Sequence, residues 1–389
     1  MTSLSPRAAD ASASRPGDAP RSPVSVSPAP GVRPVNASNR FGWDYQREAA
    51  SFGPPVAPII DIHSHVNGRR AAALLLRACD LYGVQTVYSM TMYEEADVVR
   101  EVFGDRIRFI AVPDYWAKEN RRHALADGYI RRIEEWHAKG ARVAKLWAAP
   151  RSIDTARELG DPTLFRLDAP SRIAAVETAV GLGMSIMVHV ADPDTWFATK
   201  YADASIYGTK ESQYDPFERL LDRFRSTTFI AAHMAGTPEN LAFLSALLDR
   251  HPNLVIDTSA CKWQVREWSK HRQEEMLGFL LRYRTRILYG SDIVTTDDHL
   301  TSEGDKSNEM QRKAGSEQEA FDLYASRYWC YRAMLETDYE GESPVADPDL
   351  AMVEPDRFSN MSAPRLVGRA LPPELLRQIY HDNARRLFG

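Results

Sequence analysis

The run Pro58-Ile59-Ile60-Asp61-Ile62-His63-Ser64-His65-Val66 ends an apolar stretch in His-x-His. Side chains at i and i+2 of a strand project from one face, so the two imidazoles point the same way, about 7 Å apart at the Cβ level. Neutral imidazole is the commonest protein metal ligand, and such a pair can converge on one cation. The plain alternative is a strand edge that happens to carry two histidines. Further chemistry-bearing residues close later apolar runs: Lys145, His189, His233 and Asp292. The remaining six histidines, His123, His137, His251, His271, His299 and His381, fall in expected helices or loops. Taken alone, His189 or His233 reads as a hydrogen-bonded core histidine. Four histidines at strand ends together with a carboxylate read as a site for a divalent metal.

Those residues need elements to hold them. Apolar runs that read as strands are 59–65, 84–90, 107–113, 142–148, 184–190, 227–233, 254–260 and 286–292. Amphipathic segments lie between them at 70–82, 95–103, 127–139, 171–182, 216–225, 238–250 and 273–284. Gly83, Gly104, Gly140 and Gly183 each stand just past a last helical turn. Alternating strands and helices predict parallel strands with right-handed crossovers, and eight such units make an α/β protein of the (β/α)8 TIM-barrel type. An open doubly wound sheet would need a phosphate loop, and no G-x-G-x-x-G follows any strand. In a closed barrel the chemistry sits where strands end, which is where His63, His65, Lys145, His189, His233 and Asp292 fall.

The rest of the 389 residues bounds the setting. Hydrophobic content of 44% and charged content of 26% suit a globular protein, and the net charge of -5 provides no basic face for nucleic acid. Cys79, Cys261 and Cys330 are far apart and odd in number, which argues against a disulfide framework and for a reducing compartment, the cytoplasm. No run of 18 apolar residues suggests a membrane span. The expected partner is a small-molecule substrate, with a homo-oligomer left open. Residues 1–40 hold seven of the 24 prolines among many Ser and Ala, a composition that predicts a disordered extension before a barrel domain at 41–389.

The chain resembles the amidohydrolase superfamily, in particular the amidohydrolase-related branch that also holds aminocarboxymuconate-semialdehyde-type decarboxylases. The resemblance is carried by Asp61-Ile62-His63-Ser64-His65, Lys145 in Val143-Ala144-Lys145-Leu146, His189, His233 in Ala232-His233-Met234-Ala235-Gly236, and Asp292 in Tyr289-Gly290-Ser291-Asp292. His251-Pro252-Asn253-Leu254-Val255-Ile256-Asp257-Thr258-Ser259-Ala260 and the terminal Leu371-Pro372, Ile379-Tyr380 and Asn383-Ala384-Arg385-Arg386-Leu387 extend it, so that it covers about 58–389. It implies a divalent metal on His63, His65, His189 and Asp292, with zinc first and manganese or iron as alternatives. His233 would stand beside that metal as a second-metal ligand, as the group that polarises the substrate, or as support for the ligands. Lys145 would be a carboxylated bridge between two ions or a contact for a substrate anion, and a single ion is the preferred count.

A metal with an open position lowers the pKa of bound water to about 7 and polarises a carbonyl, and Asp292 can take the water's proton. The expected activity is a metal-dependent hydrolase acting on a carbonyl-adjacent C–O, C–N or C–C bond of a small molecule. The alternatives are a non-oxidative decarboxylase of a small aromatic or unsaturated acid and a non-catalytic metal-binding barrel. The polar stretch 293–350 reads as a lid-like insertion. Within it Tyr324, Arg327, Tyr328, Trp329 and Arg332 at helical spacing suggest a helix near the mouth, where Arg327 or Arg332 could clamp a substrate carboxylate. Residues 372–388 read as a capping C-terminal helix.

Overall fold

A computed structural model of the chain describes residues 35–304, 306 and 309–389. Parallel strands β1 (Ile59–His65), β2 (Val84–Ser89), β3 (Ile107–Ala111), β4 (Val143–Trp147), β5 (Ser185–His189), β6 (Phe229–Ala231), β7 (Leu254–Asp257) and β8 (Ile287–Leu288) pair in sequence order, and the short β9 (Ile293–Val294) follows β8 in the chain. The sheet curls until β9 pairs with β1, through Ser64 opposite Ile293 and His65 opposite Val294. Across the gap between β8 and β9, Tyr289 O accepts from Ile62 N at 3.0 Å, and Asp292 N donates to His63 O at 2.7 Å. The result is the expected TIM-barrel α/β fold.

Between strands run α1 (Arg69–Tyr82), α2 (Ala96–Phe103), α3 (Asp127–Ala138), α4 (Pro170–Gly181), α5 (Lys210–Arg223), α6 (Leu241–Arg250), α7 (Cys261–Trp268), α8 (Gln273–Arg282) and α9 (Glu317–Glu336). α1 shows why the pattern works: Ala71, Leu74, Leu75, Ala78 and Tyr82 recur at three- and four-residue spacing and are all buried. Each large one removed from water contributes on the order of 1.5–3 kcal/mol. The expected helix at 216–225 instead begins at Lys210, because the Thr209 side chain accepts from Ser212 N and starts the helix before Pro216, which is accommodated inside it.

Three boundaries differ from expectation. The run 286–292 is not one strand: Asp292 has φ 59°, and the chain kinks between β8 and β9. Ser291, whose N and Oγ donate to the Asp61 carboxylate at 2.9 and 2.6 Å, holds that kink. Within 293–350, α9 is no lid. It packs along α1 as an outer wall helix, with Tyr328 OH donating to Asp61 Oδ2 at 3.1 Å. Of the expected extension 1–40, residues 1–34 lie outside the described residues. Residues 35–40 are anchored: Asn39 is fully buried and donates to Asp322 Oδ2 at 3.0 Å.

The strands β10 (Glu340–Glu342) and β11 (Arg365–Val367) form an antiparallel pair that brackets the segment 343–364. The C-terminal stretch is helical from Pro373 to Phe388 with a π turn over Gln378–Asp382. Asn383 Nδ2 donates to Ile287 O at 2.7 Å and ties it to β8. Among the described residues no helix is long and apolar enough to cross a membrane.

Candidate metal centre

β1 presents His63 deep in the barrel, 1% exposed, and His65 nearer the opening, 34% exposed. The kink at Asp292 turns its carboxylate onto both: Oδ1 lies 3.5 Å from His63 Nε2 and 3.3 Å from His65 Nε2. One ligand atom from each of these three residues lies within 4.8 Å of the other two. Gly290 allows the close crossing, since a Cβ there would sit 2.9 Å from His63 Cβ.

The donor chemistry suits a cation. His63 Nδ1 lies 2.8 Å from Asp257 Oδ2, an arrangement that puts the ring proton on Nδ1 and leaves the Nε2 lone pair facing Asp292. Burial, with the Lys145 charge, pushes the His63 pKa down, which favours the neutral ligand form. Burial would raise the Asp292 carboxyl. The hydrogen bond to His65 and the charges of the neighbouring imidazoles outweigh it and hold the group well below the usual carboxylate range. Two imidazole nitrogens and a carboxylate are a donor set that a divalent transition metal takes.

His233 follows β6 at φ 58°, and Met234 and Ala235 are left-handed as well. Three successive non-glycine residues in that region store strain of about 1 kcal/mol or more each, the kind of distortion that collects at functional sites. The turn closes on Gly236, where a Cβ would lie 2.0 Å from Ala191 O. The His233 ring stands 4.9 Å from His63 and 4.5 Å from His189, centroid to centroid. Burial first, then the neighbouring His189, keeps its pKa well below normal. Ser259 Oγ lies 2.7 Å from His233 Nδ1 and 3.1 Å from His63 Nδ1. Asp257 Oδ1 accepts from His233 N at 2.8 Å and from Ser259 N at 3.0 Å. His63, His233 and Asp257 also bring ligand atoms within 4.8 Å of one another. With the Asp257 oxygens already occupied by these donors, the trio reads as a group that orients the imidazoles.

His189 faces this centre from β5, opposite β1. Its Nε2 is 2.7 Å from Asp192 Oδ1, and Tyr201 OH donates to Asp192 Oδ2 at 2.7 Å. It stands beside His233, outside the His63, His65 and Asp292 group. Lys145 is buried in β4, and burial pushes its pKa down to about 8 against the attraction of Asp257 and Asp292.

The arginine clamp expected at Arg332 is corrected. Arg332 is 1% exposed at the opposite end of the barrel, where Nε and Nη2 each donate to Glu336 at 2.7 Å and Nη1 donates to Gly53 O at 2.9 Å. Arg327 directs Nη1 to Ser38 Oγ at 2.9 Å and Ser326 Oγ at 2.8 Å. Helical spacing marks the buried face of α9 but not which end of the barrel each turn reaches. The sequence reading missed Asp257, Ser259 and Asp192. Asp257 ends β7 and answers to the same strand-end criterion that singled out the histidines, and Asp192 lies three residues past His189.

A family model described as Amidohydrolase matches residues 90–389. Among solved structures, the chain is similar to an amidohydrolase from Burkholderia multivorans with bound zinc, at 13% identity over 85% of this chain and 99% of that one, TM-score 0.40. It is similar to amidohydrolase 2 from Bifidobacterium longum subsp. infantis at 12% identity over 85% and 98%, TM-score 0.37. It is also similar to 5-carboxyvanillate decarboxylase from Novosphingobium aromaticivorans, complexed with manganese and a nitrobenzoic acid, at 12% identity over 87% and 97%, TM-score 0.36. No curated protein matches by sequence.

Proposed function

The chain belongs to the amidohydrolase family, and on that premise we propose that it is a metal-dependent hydrolase acting on a carbonyl-adjacent C–O, C–N or activated C–C bond of a small molecule. His63, His65 and Asp292 hold one divalent ion, with His189 approaching from β5. Zinc is the first candidate, and manganese or iron are the alternatives. The observation that carries the reading is the convergence of both Nε2 atoms on Asp292 Oδ1 while Asp257 holds His63 Nδ1. An ion held there supplies Lewis acidity that polarises a carbonyl and acidifies water.

The residues around the ion have separable tasks. Asp292, ionised, is the proton acceptor and then the donor to the leaving group. His233, neutral, with Nδ1 turned to Ser259, keeps Nε2 for a hydrogen bond to the substrate. Lys145, about half ionised at pH 8, is suited either to carboxylation or to an anionic substrate group, and the occupied Asp257 oxygens favour the single-ion arrangement in which it meets substrate. A decarboxylase on the same ligands is the second reading. Hydrolysis is favoured because Met234-Ala235-Gly236-Thr237-Pro238 after His233 has no acid, and Glu239 beyond it is spent on Lys210. The three cysteines, buried and free, support the cytoplasm as location.

Metal analysis of the purified protein, joined to a screen of lactones, amides, esters and carboxylated aromatics, tests this. About one equivalent of divalent ion and turnover of a hydrolysable substrate are expected. A metal content near zero, with no thermal stabilisation on adding metal, overturns the reading. Release of carbon dioxide from an aromatic acid without hydrolysis of any other class establishes the decarboxylase instead.

A further inference from the structure

Beside the histidines, two helices and a segment remote in sequence meet at one carboxylate. Trp263, near the start of α7, has its ring centroid 5.6 Å from His233 and 6.4 Å from His189. Trp196, in the short helix Asp194–Phe197 after β5, meets Trp263 edge-on at 5.1 Å. Both indole N–H groups donate to Asp349 Oδ2, at 3.0 Å from Trp263 and 2.7 Å from Trp196. The same oxygen accepts from Arg266 Nη1 at 3.2 Å. Asp349 lies 86 residues from Trp263 and 153 from Trp196 in sequence, brought in by the segment that β10 and β11 bracket.

Arg266 is itself 3% exposed and bonded on every side: to Asp347, to Glu267 Oε1 at 2.6 Å and to Thr195 Oγ1 at 3.0 Å. Burial pushes the Asp349 carboxyl up, and the Arg266 charge outweighs it, so the group stays ionised. Burying these charges is costly unless each is fully partnered, and here they are. The barrel closes without this latch, through β9 on β1. What the latch does fix is the orientation of two indoles that would otherwise have rotamer freedom next to the metal-facing imidazoles.

We infer that Asp349 is a positioning residue and that Trp263 is the specificity wall it positions, so that a ligand held beside His189 and His233 meets an aromatic side chain and a planar π group is selected over a saturated one of similar size. The inference rests on the metal-site reading above. Lys200 Nζ covers the Trp196 ring at 3.5 Å, so Trp196 serves as backing while Trp263, flanked by both imidazoles, is the ring a ligand touches. A part of 293–350 that serves the site is thus its far end, with Asp347 and Asp349.

The test uses two monocarboxylates of equal charge and similar size, benzoate and cyclohexanecarboxylate, titrated calorimetrically into the metal-loaded full chain. Wild type is expected to bind benzoate about fivefold more tightly, the scale of an aromatic contact. Trp263→Leu should bring the ratio close to one with metal content unchanged. Asp349→Asn keeps the side-chain size but loses the charge that holds Arg266 and both indoles. It should lower the ratio by at least half and shift tryptophan emission while leaving bound metal at the wild-type level. Trp263→Phe keeps an aromatic ring and loses the N–H to Asp349. It should fall between wild type and Trp263→Leu, which tests the positioning role even if Asp349→Asn does not fold. Metal bound but an equal affinity for both acids in wild type, or an undiminished ratio in Trp263→Leu, overturns the wall and leaves the metal reading standing. A full ratio in both Asp349→Asn and Trp263→Phe overturns the positioning role. Absence of bound metal in wild type overturns the metal reading and this inference together.

Discussion

At the end of the barrel away from the histidines, Arg332 sits over the Phe52 ring and meets Glu336 with both arms of its fork, while Tyr380 OH donates to Glu336 Oε1 at 2.8 Å. At the mouth, Lys145 is as deeply buried, yet its ammonium makes no hydrogen bond or ion pair among the described residues, and it feels Asp257 and Asp292 only at a distance. The backbone differs in the same sense: His233, Met234, Ala235 and Asp292 all take positive φ around the mouth. A buried charge with matched partners adds rigidity. One left short of partners has a shifted pKa and is available for chemistry. The contrast separates a stabilising cluster from a reactive one inside a single core.

The largest expected effect breaks the stabilising end. Arg332→Ala strands the Glu336 carboxylate, 14% exposed, without its cation, and should cost about 3–5 kcal/mol in denaturant unfolding. Bound metal per folded molecule should not change. A parallel loss of metal would show that the two ends are coupled.

The next effect belongs to the mouth. Asp292→Asn keeps the side-chain shape and one oxygen donor but cannot take a proton, so turnover should fall about 100-fold or more while metal occupancy stays above roughly half. The acidic limb of the wild-type pH profile should be absent in the variant. Near-normal turnover with full metal would make Asp292 a ligand only, and the proton would pass to His233 or to the substrate.

Lys145 sharpens the comparison through pH. Its folded-state pKa of about 8 lies below the ordinary 10.5, so between those values the unfolded chain binds a proton that the folded chain does not. Stability therefore rises with pH across that window, and below it the fold bears the full cost of a buried ammonium. Lys145→Met should stabilise the protein by about 3 kcal/mol at pH 7, with the gain shrinking as pH rises from 8 towards 10.5. A gain independent of pH would show that packing, and not charge, governs this position.

The smallest effect is expected at the N-terminus. Deleting residues 1–34, rich in Pro, Ser and Ala, should leave melting temperature and metal content nearly unchanged. Deletion through residue 43 should lower the melting temperature by several degrees, since it removes buried Asn39 and the Trp43 ring that packs 4.9 Å from Trp329. Equal stability of the two truncations would show that the anchored segment contributes nothing.

Much of this architecture was legible in residue order. All eight expected strand positions carry strands, because each run is predominantly apolar and bounded by turn residues, and both signals are local. The ordered positions of His63, His65, His189, His233 and Asp292 at strand ends were legible for the same reason. A barrel collects its strand ends at one face, so strand register alone brings these residues to the same end of the molecule.

What tertiary structure decided is how those side chains meet. Asp292 turns onto the histidines because Ser291 is held by Asp61, 230 residues earlier, and His63 is oriented by Asp257, 194 residues later. Arg332 lies at the end of the barrel away from the site because α9 packs as a wall helix along α1, which a helical stripe cannot reveal. Asp349 reaches the tryptophans on the segment that the β10–β11 pair brackets. Periodicity reports which face of an element avoids water. Convergence of polar atoms to within 3 or 4 Å depends on non-local pairing and on backbone kinks, whose free energy comes from partners far along the chain.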